Sequence, residues 1–194
     1  MSGGAGSGVL VITGPSGVGK GTLIGELLRH FEDLRLSVSA TTRPPRSGER
    51  DGREYHFLTP DEFERRVQAG EFVEHAAYSG RRYGTLRSEL EARTRDGSPV
   101  VLEIEVQGAR QVRERMPDAV TIFIAPPSED ALRARLLERG TDAVEQVQER
   151  MRTATRELGS SGEFGQVVVN DRLEEAVERL VDIVSRALAA PHRG

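Results

Sequence analysis

Residues 9–28 read VLVITGPSGVGKGTLIGELL. An apolar run ends at Gly14 and a glycine-rich turn carries on to Gly19. Beyond it, Leu23, Ile24, Leu27, Leu28 and Phe31 recur at helical spacing. The pattern predicts a buried strand over Val9–Thr13 and a helix over Gly19–Phe31. Between them, Gly14-Pro15-Ser16-Gly17-Val18-Gly19-Lys20 has the spacing of a phosphate-binding loop. In such a loop the backbone N–H groups of residues 15–20 wrap a polyphosphate, and the positive end of the following helix faces the same anion. One position departs. The motif places Ser or Thr after the lysine as a Mg²⁺ ligand, whereas here Gly21 follows and the hydroxyl comes one place late, at Thr22. The expectation is a working nucleotide loop in which Thr22 donates to a phosphate. Mg²⁺ is then held mainly by the nucleotide phosphates and water, an arrangement Mg²⁺ tolerates because it dehydrates reluctantly.

The bulk composition narrows the context. A chain of 194 residues suits one domain, with room for inserted subdomains. It lacks cysteine, which excludes a disulfide scaffold, a thiol nucleophile and cysteine-ligated zinc. A net charge of -4 argues against a nucleic-acid polymer as partner. The apolar runs are too short to span a membrane. Residues 1–8, MSGGAGSG, read as a flexible tail, and the expected address is the cytoplasm. Of 27 basic residues, Lys20 alone is lysine. A compact ammonium fits between β- and γ-phosphates where a forked guanidinium would crowd them.

Strand and helix patterns alternate along the rest of the chain, which predicts an α/β fold with a parallel sheet flanked by helices. SPVVLEIEV (residues 98–106), AVTIFIA (119–125) and QVVVND (166–171) read as further strands. Glu103 and Glu105 would then share one strand face. Helices are expected over Gln107–Met116, Ser128–Arg139, Thr141–Leu158 and Leu173–Leu188, with Ser128 as a cap. Thr59-Pro60-Asp61-Glu62 starts another helix, with Thr59 and Glu62 forming a capping box. Residues 35–96 break the alternation and read as an insert. The polar helices of 128–159 would project as a separate flap, which leaves 9–34, 97–127 and 160–190 as the core of a single domain over 9–190.

Five further stretches join the loop: SVSATTRPPRSGERDGREYHF (37–57), GEFVEHAAYSGRRYGT (70–85), LEIEVQGARQV (102–112), IFIAPPS (122–128) and VVVND (167–171). On these motifs the chain resembles guanylate kinases, from about Leu10 to about Leu188. The resemblance implies a P-loop kinase core, an NMP-binding insert, a helical lid, and transfer of the ATP γ-phosphate to GMP, with dGMP as a further acceptor. It places Ser39, Arg43, Arg46, Tyr55, Glu74, Tyr83 and Thr85 around GMP. Guanidinium suits the phosphate. The Glu74 carboxylate suits the N1–H and N2–H₂ donors of guanine, where adenine presents an acceptor. Arg135, Arg139 and Arg150 match lid arginines that offset charge on the transferring group. Asn170 and Asp171 match an adenine-side contact, and Asp171 also suits a helix N-cap. Glu105 takes a place where the family commonly has aspartate, so its reach toward GMP or Mg²⁺-bound water is one methylene longer. The acceptor oxygen is already anionic, so no general base is needed, and His30, His56, His75 and His192 read as structural. Two alternatives remain at this point: an adenylate kinase-type enzyme, which shares the Gly-Lys-Gly-Thr ending, and a non-catalytic interaction module of the same fold.

Overall fold

The computed structural model describes residues 8–138 and 144–189. Strand β1 (Val9–Thr13) is buried along its whole length. Such a run has no polar face because it lies mid-sheet with both faces covered. Its neighbours are β7 (Val100–Glu103) and β8 (Val120–Ala125), flanked by β2 (Arg35–Leu36) and β9 (Gln166–Val169). The sheet order is β2-β7-β1-β8-β9 and every pairing is parallel. Leu10 and Ile12 point to the face covered by α1 (Lys20–His30) and α7 (Leu173–Ala189). Val9 and Val11 point to the face covered by α4 (Val106–Arg115).

The insert forms a second sheet, ordered β4-β3-β6-β5, from β3 (Ala40–Thr41), β4 (His56–Phe57), β5 (Phe72–Tyr78) and β6 (Arg81–Leu86). Helices α2 (Pro60–Gln68) and α3 (Arg87–Thr94) complete it. Phe63, Phe72, Ala40 and Leu86 make a small core of its own. Arg35–Leu36 pairs with β7, so the core sheet reaches past residue 34 into the stretch assigned to the insert.

Several local expectations change. Strand β7 stops at Glu103, and Glu105 stands at the N-cap of α4 rather than inside the strand. Helix α2 starts on Thr59, whose hydroxyl accepts from Glu62 N at 3.2 Å. The Glu62 carboxylate does not close the box; it turns to Arg65 and Arg66. Ser128 caps α5 (Glu129–Glu138) by accepting from Ala131 N at 3.1 Å. Helix α7 begins at Leu173, too late for Asp171 to be its N-cap. Helix α5 and helix α6 (Val144–Leu158) do not project as a free flap. Leu132, Leu136, Met151 and Ala154 are buried in the main core, because their i,i+4 and i,i+3 spacings give each helix an apolar stripe. Residues 1–7 of the tail expected over 1–8, and the expectations for Arg139 and His192, lie outside the described residues, whereas Gly8 is described and its carbonyl accepts from Val100 N at 2.7 Å. No described helix is long and apolar enough to cross a membrane.

Candidate active site

The loop after β1 turns at three glycines with positive φ, Gly14, Gly17 and Gly19. Gly14 has φ 138°, and a Cβ there would sit 2.3 Å from the Ile124 carbonyl oxygen of β8. Gly19 has φ 96° and forms the N-cap of α1. It offers no capping side chain, and the first turn holds no acid. The first amides and the positive end of α1 therefore stay available to an anion. Lys20 Nζ lies across the loop and donates to Gly14 O at 2.6 Å and Pro15 O at 3.1 Å. From behind, Asn170 Nδ2 donates to Val18 O at 2.8 Å, and Arg135 Nη2 donates to Asn170 O at 2.8 Å. Asn170 and Arg135 thus brace the loop, whereas Asp171 is exposed.

A cleft of about 470 Å³ opens in front of the loop. Ser16, Gly17, Gly19, Lys20, Gly21 and Thr22 line one wall; Ser37, Ser39, Tyr55, Tyr83, Glu103 and Glu105 line the other. The Ser37 hydroxyl is buried without a protein partner. The rings of Tyr55 and Tyr83 stand 6.2 Å apart, edge to face. Burial pushes the Tyr55 phenol up. Beside them Arg43 lies over Tyr55, 5.2 Å from the ring centroid. Its Nη2 donates to Glu49 Oε1 at 2.8 Å, and its Nη1 to Pro44 O at 2.8 Å. Glu49 also accepts from Arg46 N at 2.7 Å, and these contacts hold its carboxyl below the usual range. The carboxylate of Glu49 therefore neutralises Arg43, while the Arg46 side chain is exposed.

Glu74 and Thr85 are brought together but line neither this cleft nor the next. They face each other across β5 and β6, and Thr85 Oγ1 donates to Glu74 Oε1 at 2.8 Å. Glu74 is 2% exposed. Burial pushes its carboxyl up to about 7, with the Glu105 charge adding to the rise and Thr85 opposing it.

A second cleft, of about 720 Å³, lies between the β5–β6 hairpin, the start of α4 and helix α6. Arg150 lines it with Tyr78, Glu105, Thr153 and Glu157. Tyr78 and Glu105 border both clefts. Tyr78 interacts with Ser16 of the loop, and burial raises its phenol. Glu105 Oε2 and Glu157 Oε2 are both buried without a hydrogen-bond partner, and the charge of Glu105 adds to the rise of Glu157. Burial raises both, Glu157 to about 7. Among the described residues no cluster of three acids or histidines is placed to hold a metal ion.

Tyr78, Glu49, Ser37 and Glu157 escaped the sequence reading. Period-2 alternation from Glu74 through Ala76 puts Tyr78 on the same face of β5. Helical spacing puts Glu157 on the face of Arg150 and Thr153. Nothing local marks Glu49 or Ser37. His56 pairs with Glu89 at 3.3 Å and His75 packs against Phe63 and Phe72, so both are structural.

Comparison with known proteins gives one answer. A family model described as guanylate kinase matches residues 7–187. A guanylate kinase of Frankia casuarinae is 50% identical over 177 residues, covering 91% of this chain and 96% of that protein. One from Synechococcus sp. (strain CC9311) is 50% identical over 170 residues, covering 88% and 90%. The crystal structure of guanylate kinase from Anaplasma phagocytophilum matches with a TM-score of 0.76 at 33% identity, over 94% of this chain and 87% of that one. These relatives disfavour the adenylate kinase-type reading. The chain belongs to the guanylate kinase family, the ATP:GMP phosphotransferases.

Proposed function

We infer that this chain transfers the γ-phosphate of ATP in line to GMP, and to dGMP, giving ADP and the nucleoside diphosphate. The observation that carries the reading is the shared cleft: Lys20 and Thr22 face Ser39, Tyr55 and Tyr83 across one space. Two phosphate-bearing substrates brought to opposite walls become an effectively unimolecular pair. The nucleophile is a phosphate oxygen, anionic at neutral pH, so the reaction needs no poised base beside it. Residues 14–22 hold the ATP phosphates, and Lys20 leaves the Gly14 and Pro15 carbonyls to meet them. Arg43 and Arg46, with Tyr55 and Tyr83, hold the acceptor phosphate, which takes the place of Glu49 on Arg43. Glu74 and Thr85 read the guanine edge, and Glu105 borders it.

Mg²⁺ fits a polar cleft without a carboxylate cage, held mainly by nucleotide phosphates and water; when bound it offsets charge on the triphosphate. Arg139 and Arg150 bring further positive charge to the triphosphate as the insert closes on the core and excludes water. Arg135 and Asn170 act from behind, by keeping Val18 and the loop in place. A coupled assay offering GMP, AMP, CMP and UMP with ATP tests the reading. GMP is expected to be preferred by orders of magnitude, and a preference for AMP overturns it.

A further inference from the structure

Helix α4 carries Gly108, Gln111 and Arg115 on one face, spaced three and four apart. That face lies on strand β5, and the three residues meet Val73, Glu74 and His75. Gln111 Nε2 donates to His75 O at 2.6 Å, and Gln111 Oε1 accepts from His75 N at 3.3 Å. Arg115 donates to Val73 O. The outward backbone groups of β5 are free for α4 because β5 is the edge of its sheet, and at Val73 the β5–β6 register also shifts, between Phe72 and Glu74. A bulge of that kind takes backbone groups out of the ladder, and buried ones need other partners. At Gly108 there is no side chain, and the space is filled by the carboxylate of Glu74. A Cβ at 108 would stand 2.1 Å from Glu74 Oε2 and 2.9 Å from its Cδ.

We propose that Gly108 is a specificity-determining, positioning residue, whose missing side chain is the seat of the base-reading carboxylate, with Gln111 clamping the strand that carries it. This rests on the reading that Glu74 receives the N–H donors of guanine. Helix α4 is built on the core sheet through Val106, Ala109 and Val112. The insert's reading group is therefore referenced to the rigid core rather than to its own small sheet. Glycine weakens the interior of α4 relative to alanine, so helix stability does not account for it. Any side chain at 108 would push the carboxylate outward by roughly 1 Å, and a misplacement of that size can cost up to about 10²-fold in kcat/KM.

The test is kcat/KM for GMP and for inosine monophosphate, which keeps N1–H but lacks the 2-amino donors. Gly108→Ala is expected to lower the GMP-to-inosine ratio by at least about tenfold through the KM for GMP. The KM for ATP should not change; the helix gain of alanine and the crowding of the buried Glu74 carboxylate act on Tm in opposite directions, so the ratio and not Tm is the readout. The double variant Gly108→Ala/Glu74→Asp, one methylene shorter at 74, should recover part of the ratio, which a purely structural glycine would not allow. Gln111→Leu adds no volume beside Glu74 and should shift the ratio in the same direction by a few-fold. It carries the test if Gly108→Ala fails to fold. An unchanged ratio in Gly108→Ala, with Glu74→Gln sensitive, overturns the role of Gly108 alone. An unchanged ratio in Glu74→Gln removes the base-reading role of Glu74 and this proposal with it.

Discussion

The two walls of the 470 Å³ cleft are made by opposite means. The donor wall is one uninterrupted run, residues 14–22, that presents backbone amides and a helix end. The acceptor side is assembled from side chains of β5, β6 and residues 37–57; Ser39, Tyr55 and Tyr83 line the cleft, Arg43, Glu74 and Thr85 stand beside it, and its parts are held by internal stand-ins. Glu49 neutralises Arg43, and Thr85 holds Glu74. Backbone sites depend on φ and ψ over a few residues and are formed as soon as the strand and helix are. Side-chain sites depend on pairing between distant segments, and each stand-in must yield to substrate. The donor wall thus binds and catalyses by its shape, and the acceptor wall supplies discrimination.

The largest expected effect tests the donor wall. Lys20→Ala should lower kcat by about 10³-fold, the scale of losing one preorganised group in a charge-stabilising site. Tm should change little, since among the described residues the Lys20 hydrogen bonds go to carbonyls of its own loop. A kcat within tenfold of the parent would break the comparison.

The intermediate effect tests the acceptor wall through pH. Glu74 sits with its carboxyl raised to about 7. As an acid it donates where guanine also donates, so kcat/KM for GMP should fall about tenfold per unit as pH drops below about 7. Glu74→Gln should flatten that limb. Stability has the opposite sense. The folded state holds the proton more tightly than the unfolded chain, so between about pH 4.5 and 7 the folded form binds more protons. Unfolding free energy should therefore fall as pH rises through that window, then level off. Glu157, also raised to about 7, acts in the same direction. Urea titrations from pH 5 to 8 measure it, and stability rising across the window would contradict the burial of both groups.

The smallest effect sharpens the loop itself. Nothing lies within 4 Å of a Cβ built at Gly21, so Gly21→Ser should fold unchanged. A hydroxyl there can ligand Mg²⁺ directly, so the Mg²⁺ concentration for half-maximal rate should drop by a few-fold. No change would leave the reading of Mg²⁺ ligation at this loop unsupported.

Features set by near neighbours were legible in the sequence: the strand–loop–helix at 9–31, the caps at Thr59 and Ser128, and the order of the insert between core segments. Where the sequence misled, a long-range contact prevailed. Glu105 left its strand because buried Val106 starts a helix packed on the sheet. Asp171 lost its cap role because α7 begins two residues later, while neighbouring Asn170 is turned inward onto Val18. The lid helices looked detachable by charge, yet Leu132, Leu136, Met151 and Ala154 root them in the core.

The chain's local chemistry therefore dictated the phosphate loop, the helix starts and the kind of side chain available for GMP, because each depends on residues within a turn or a loop of one another. Only tertiary structure decided that Arg135 and Asn170 brace the loop, and that Glu74 rests where Gly108 has no side chain. Those contacts join segments that meet only when the sheets stack on α4 and the lid packs on the core, and burial there sets the protonation of the groups involved.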